Sequence, residues 1–170
     1  MELFEAIFTR RSIRKYKKGM KISQDDIKKM LEAAMYAPSS RNLQPWHFVV
    51  IDEQSVLSYL SEIHPYGKML ADASLAILVC GDMSIEKTMP YHAINGSAAT
   101  QNILLAAHAL GLGAVWLGVY GREERMSSIA IKLNLPDNIV PVSLISIGYP
   151  DETKETPERY KPERIRYNKW

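Results

Sequence analysis

The first apolar positions of the chain, Leu3, Phe4, Ile7 and Phe8, recur three and four residues apart, so ELFEAIFTR predicts a short amphipathic helix. In SQDDIKKMLEAAMYAP, Ile27, Met30, Leu31 and Ala34 share one helical face. Ser23 supplies an N-cap with Asp26 three residues on, and Pro38, lacking an amide proton, sets a stop. WHFVVI is aromatic and β-branched and reads as a strand. SVLSYLSEI reads as a short helix, and the unbroken apolar run ASLAILVC as a buried strand. The longest helical stretch is YHAINGSAATQNILLAAHALGLG. Its apolar face is largely alanine, with Gly96 and Ser97 near the start, so a neighbouring element could approach closely; Gly111 and Gly113 end it. AVWLGVY predicts a strand, REERMSSIAIKLNLP a helix and IVPVSLISIGY a last strand. The order α-α-β-α-β-α-β-α-β, with a buried sheet among helices, suggests a layered αβα sandwich.

The segment PDETKETPERYKPERIRYNKW that follows is different in kind. It is dominated by charge, yet carries Tyr160, Tyr167 and Trp170 among its prolines. A free disordered tail seldom holds so many aromatic residues. An arm laid over a surface, such as another subunit's, would use them.

A chain of 170 residues fits one domain with a proper core. At 46% hydrophobic and 24% charged it has the balance of a soluble globular protein. The net charge of +2 is too small to argue for nucleic acid, but seven Lys or Arg and no acid lie between Arg10 and Lys21. The lone Cys80 excludes an internal disulfide and fits a reducing compartment. The acidic start lacks the basic region of a signal peptide, and no apolar run reaches transmembrane length, so a cytoplasmic protein without membrane attachment is expected.

Protein-borne chemistry is hard to find. His47, His64, His92 and His108 show no ligand spacing with each other or with Cys80, so no metal site is expected. The nucleophile-elbow, P-loop and dinucleotide fingerprints are missing, and Cys80 in its apolar strand reads as core. Binding groups are plentiful by contrast. Arg10, Arg11, Ser12 and Arg14 follow the first helix, where cations are favourable without any ligand. The same residues would suit a phosphate, since guanidinium forks make charge-assisted bonds to its oxygens. Contact with a nucleic-acid backbone is a third use, but no recognised nucleic-acid-binding pattern accompanies the cluster. The loop PSSRNLQPW is either a turn capped by its own Ser and Asn side chains or a seat for a flat heterocycle. Ser39, Ser40, Asn42 and Gln44 offer donors and acceptors beside the apolar Pro38.

Taken together and in order, RRSIRKY, APSSRNLQPWHF, AATQNILLAAHALGLGAVWLGVY, and ISIGYP before a basic tail ending in Trp170 resemble the FMN-dependent nitroreductase family over the whole chain. The resemblance implies an α+β fold: a three-layer αβα sandwich around a mostly antiparallel mixed sheet. Residues 1–150 would form the FMN-binding body and residues 151–170 an arm reaching the partner of an obligate homodimer. Arg10, Arg11, Ser12 and Arg14 match positions that hold the FMN phosphate and ribityl chain. Pro38, Ser39, Ser40 and Asn42 match positions that reach the flavin from the partner chain, with Gln44 close by. Leu117 and Gly118 match the backbone beside the ring, Lys68 a lysine near the flavin edge, and Arg159 and Lys161 a second cationic contact to the phosphate. The implied activity is ping-pong transfer of electrons from NAD(P)H, through flavin N5, to nitroaromatics, quinones or a related small acceptor. FMN would carry the chemistry, so no catalytic side chain is expected. The chain is short for the family between Ile63 and Ala73 and between Asp82 and Ala93, which implies an open pocket. Use of another electron donor on the same scaffold, or a non-catalytic flavin- or partner-binding dimer, are the alternatives.

Overall fold

An unbroken apolar strand needs cover on both faces, and β2 (Leu75–Asp82) has it along its whole length. Leu75, Ile77 and Val79 enter one core cluster, whereas Ala76, Leu78 and Cys80 enter the other, the alternation of a pleated strand. The computed structural model describes residues 1–170. β1 (Trp46–Ile51) and β4 (Ile139–Gly148) flank β2, and β3 (Gly113–Gly118) pairs with β4. The resulting order, β1-β2-β4-β3, is antiparallel at every named pair. The one parallel feature is a bridge from Ser12 to Ala114 on the outer side of β3.

α2 (Gln24–Met35) and α4 (Met89–Ala109) cover one face of the sheet, while α3 (Gln54–Ile63) and α5 (Glu123–Lys132) cover the other. Three layers result, as the element order suggests. The Ser23 hydroxyl accepts the Asp26 amide at 3.1 Å, so the expected N-cap of α2 forms. α2 ends at Met35, three residues before Pro38, and α4 starts at Met89 because Pro90 suits a first helical turn. Gly111, at φ 76°, closes α4. Gly113 instead opens β3, and a Cβ there would lie 2.7 Å from Ile13 Cγ2. The close approach expected at Gly96 is present: an added Cβ would meet Val142 Cγ1 at 2.8 Å. One turn on, the buried hydroxyls of Thr100 and Ser143 lie 2.6 Å apart.

Two apolar surfaces find no cover within the chain. On α1 (Leu3–Thr9), Leu3, Phe4 and Phe8 are 65, 68 and 63% exposed, so the expected apolar face points outward. Every residue from 155 to 170 is exposed, Trp170 completely. No helix is long and apolar enough to cross a membrane.

Candidate functional site

After α1 the chain leaves the helix at Arg10 and runs along the edge of β3. Ser12 bridges to Ala114, and the Ile13 amide donates to the Ala114 carbonyl at 3.0 Å. Tyr16 anchors the segment: its ring is buried against Gly148, and its hydroxyl lies 2.9 Å from the Ile13 carbonyl and 3.1 Å from that of Ser146. Burial pushes this phenol well above the ordinary tyrosine range. From the other side, the Glu152 carboxylate accepts the amides of Arg14 and Lys15, and Lys154 Nζ donates to the Ser12 carbonyl at 2.8 Å. The backbone of residues 12–16 is thus held from both sides, while the guanidinium groups of Arg10, Arg11 and Arg14 enter no salt bridge.

Those groups are electrostatically unfavourable as they stand. The Arg10 pKa falls through burial first, then through the like charges of Arg159 and Arg11. Arg11 Nε is buried with no hydrogen-bond partner. The six salt bridges of the chain include none of Arg10, Arg11, Arg14 or Arg159. Three guanidiniums sharing one neighbourhood, one with an orphaned buried donor, are the inventory of an anion site. Of the expected tail cations, Arg159 is therefore close to this cluster. Lys161 lies on the exposed arm.

Further along β3, Leu117 and Val119 turn into the α3–α5 core and leave Trp116 and Gly118 exposed at the edge. Here Arg14, His64, Tyr66, Trp116, Gly118 and Arg125 line an open cavity of about 380 Å³. The Gly118 carbonyl accepts from His64 Nε2 at 3.0 Å and from the Arg125 guanidinium. The Tyr66 amide points at His64 Nδ1 from 3.3 Å, which makes Nδ1 the acceptor and Nε2 the protonated nitrogen. Burial lowers the His64 pKa, with the Gly118 bond opposing it, and keeps the imidazole neutral. Arg122 and Arg125 also border a larger depression of about 690 Å³ beside the start of α5. Lys68 is exposed on the turn Lys68–Asp72 and does not line the β3 cavity.

The loop Pro38–Gln44 has an unusual backbone. Arg41, Asn42 and Gln44 take φ of 54°, 55° and 50°, a region that L-residues other than Asn and Asp enter seldom. Internal bonds hold it: the Ser39 hydroxyl accepts the Gln44 amide at 2.9 Å, and Asn42 Oδ1 accepts Gln44 Nε2 at 3.0 Å. The body of the protein holds it too, since the Ser40 amide donates to Asn95 Oδ1 at 2.9 Å. Arg41 meets the fully buried Glu86 at 2.7 Å. The Thr88 amide, and then Arg41, lower the Glu86 pKa. Turn chemistry and presentation of polar edges therefore coexist here, with Pro38, Asn42 and Gln44 exposed and Ser39 and Ser40 half-buried.

This loop enters β1, one edge of the sheet, and the arginine segment follows β3, the other. Three strand spacings separate β1 from β3, about 14 Å. The chain brings Arg10, Arg11, Ser12, Arg14, Leu117, Gly118 and Arg159 to a single edge, and holds Pro38, Ser39, Ser40, Asn42 and Gln44 at the opposite one. His64, Tyr66 and Arg125 were not apparent as site residues from the sequence. Trp116 was not singled out either, although strand alternation places it on the same side as Gly118.

The family model for the nitroreductase family matches residues 7–73 and 61–149. A protein of Archaeoglobus fulgidus provisionally named an NADH dehydrogenase/NAD(P)H nitroreductase is 49% identical over 174 residues, covering 99% of each chain. The crystal structure of a similarly named protein from Parabacteroides distasonis superposes with a TM-score of 0.93 at 38% identity, covering 98% of each chain. A provisionally named nitroreductase of Desulfovibrio desulfuricans, solved in complex with FMN, has a TM-score of 0.82 at 32% identity and covers 100% of this chain and 98% of its own. The uncommitted arginines along β3, the rigid polar loop before β1 and the sheet between them are thus features of a chain that belongs to the nitroreductase family.

Proposed function

We propose that the chain is an FMN-dependent NAD(P)H oxidoreductase acting on nitroaromatics, quinones or a related small acceptor, and that it works as a homodimer. The observation that carries this reading is the arginine cluster at Arg10, Arg11 and Arg159, in which a buried guanidinium nitrogen lacks any acceptor. A phosphate dianion relieves the repulsion and satisfies the orphaned donor. Arg10, Arg11, Ser12 and Arg14 would hold the phosphate and ribityl chain, with Arg159 or Lys161 adding a second cation. The Leu117–Gly118 backbone would lie beside the ring. When bound, FMN supplies the redox chemistry, accepting electrons from NAD(P)H and yielding them to the acceptor in alternate half-reactions.

The protein's own part is to position and shield. His64 and Arg125 fix the Gly118 carbonyl by donating to it, which sets the tilt of that peptide. Trp116 and Tyr66 give the open cavity aromatic walls against which planar molecules stack. Pro38, Ser39, Ser40, Asn42 and Gln44 would reach the site from the partner subunit, because within one chain they lie at the far edge of the sheet. The uncovered face of α1 and the aromatic arm support such a pairing, with residues 1–150 as the flavin-binding body and 151–170 as the arm.

The test is the visible spectrum of purified protein loaded with FMN, followed by anaerobic addition of NADH and then NADPH. One flavin per chain that bleaches and reoxidises with a quinone or nitroaromatic is the expected result. Flavin that binds but stays oxidised with both nucleotides points to another donor. A chain that cannot be loaded with FMN overturns the reading.

A further inference from the structure

We propose that Glu86 is a positioning residue for flavin binding: buried beneath the loop Ser39–Gln44, it fixes through Arg41 the left-handed backbone that presents Ser39, Ser40, Asn42 and Gln44. The proposal rests on the reading of this loop as part of an FMN site.

The loop places three non-glycine residues at positive φ within four positions, and such backbone persists only where its surroundings over-determine it. Glu86 supplies much of that determination. Its side chain has no accessible surface, so it touches no ligand itself. One carboxylate oxygen accepts the Thr88 amide at 2.8 Å, and the other accepts Arg41 Nη2 at 2.7 Å. Arg41 is its only ion-pair partner, and the Arg41 side chain is otherwise 64% exposed. A carboxylate leaves water at considerable cost, and a single surface arginine returns little of it as stability. What the pair does accomplish is geometric, because Arg41 is the first of the three left-handed residues.

The frame around Glu86 is rigid. Its amide donates to the Asp82 carbonyl at 3.0 Å. The Asp82 side chain in turn accepts the Ser84 amide at 2.7 Å, the Ser84 hydroxyl at 2.6 Å and Asn138 Nδ2 at 2.8 Å. The end of β2 and the approach to β4 therefore brace the turn that carries Glu86, and through Arg41 they brace the loop. Asn95, itself buried, adds the second fixed point at the Ser40 amide. The loop is held in place within each protomer before any partner arrives, which reduces the ordering cost of ligand binding.

The experiment measures FMN dissociation constants and the thermal midpoint of the flavin-free protein for wild type, Glu86→Gln, Arg41→Met and Arg41→Lys. Removing the charge from one buried hydrogen-bonded pair should weaken FMN binding about tenfold in Glu86→Gln. Arg41→Met should do the same and also lower the flavin-free midpoint, because it leaves the buried Glu86 carboxylate without its cation, and Arg41→Lys should recover part of both losses. Wild type that does not bind FMN sinks the underlying reading before any variant is tested. Wild type that binds while Glu86→Gln keeps an unchanged dissociation constant overturns this proposal, even where its midpoint falls, because Glu86 then serves the fold alone. Should Glu86→Gln fail to fold, the Arg41 pair decides: equal affinities in Met, Lys and wild type overturn it.

Discussion

Arg10→Met separates a phosphate site from a helix end, because the two roles predict opposite signs in the flavin-free protein. Arg10 is the C-cap of α1, and a cation there contributes about 0.3–1 kcal/mol through the helix dipole. If that were its whole role, the substitution would lower stability by that amount and leave flavin affinity alone. In the structure, however, Arg10 is partly buried beside Arg11 and Arg159 with no acid paired to any of them. Methionine preserves most of the apolar stem and removes the repulsion, so the flavin-free protein should hold its stability or gain some. The flavin complex loses one charge-assisted hydrogen bond to phosphate, about 1.5–3 kcal/mol, which raises the dissociation constant by about 10–150-fold. Quenching of FMN fluorescence gives the affinity, and thermal unfolding without flavin gives the stability. Repeating both at high salt should shrink the stability difference, since the repulsion is screened. A lower flavin-free midpoint with an affinity within about twofold of wild type would refute the phosphate role and leave Arg10 as an ordinary helix-end cation.

Three further outcomes are expected. Gly148→Ala places a Cβ 2.9 Å from the Tyr16 ring inside buried β4, so it should cost about 1–3 kcal/mol in urea unfolding and loosen FMN as well; unchanged stability would show that Tyr16 does not lock the arginine segment. Removing residues 157–170 takes away Tyr160, Tyr167 and Trp170, which are 73, 83 and 102% exposed in the single chain. If a partner buries them at about 1.5–3 kcal/mol each, light scattering should detect dissociation at micromolar protein, and a truncated chain that stays dimeric with full flavin argues against an exchanged arm. Burial lowers the His64 pKa, so the unfolded chain binds that proton first. The His64 contribution to stability is present above about pH 6.5, its unfolded value, and is lost as pH falls through the folded pKa. His108, lowered by burial and by Arg10, adds to the same slope. His64→Gln should flatten the acid side of the stability curve below about pH 6.5, and an unchanged slope would mean that folding does not shift the His64 pKa.

The nine helices and strands were legible because each is a local pattern: a cap at Ser23, alternation at β1, an unbroken apolar run at β2. The places where boundaries moved have local causes as well. Pro90 lets α4 start early, and Gly113 serves β3 rather than the helix before it because Ile13 needs its missing Cβ. Amphipathicity, by contrast, says that a face needs cover without saying whose. Leu3, Phe4 and Phe8 have the spacing of a core-facing helix and remain exposed here. The strand order β1-β2-β4-β3 was not legible, because no local rule encodes which strands become neighbours. His64 and Arg125 converge on Gly118 from separate helices, a juxtaposition that no spacing along the chain encodes. Glu86 is the extreme case. In GDMSIEKTMP it looks like one more solvated loop acid, and only the packing of that turn beneath Arg41 removes it from water.

The two candidate binding segments are near in sequence and far apart in the fold. Only 20 residues, 17–36, separate RRSIRKY from APSSRNLQPWHF along the chain. The sheet places them at opposite edges instead, with β2 and β4 between. No hinge motion within one sandwich closes that gap without breaking the buried pairing of β2 and β4, the most deeply covered part of the core. On the proposed reading, a second copy related by a two-fold axis would close it without distortion, bringing the loop of each chain to the arginines of the other and making two equivalent sites at once. On this argument flavin affinity should depend on protein concentration. Diluting the protein below its dimer dissociation constant should release FMN even though every residue of the site is intact, and flavin retained by the monomer would show that one chain holds the whole site.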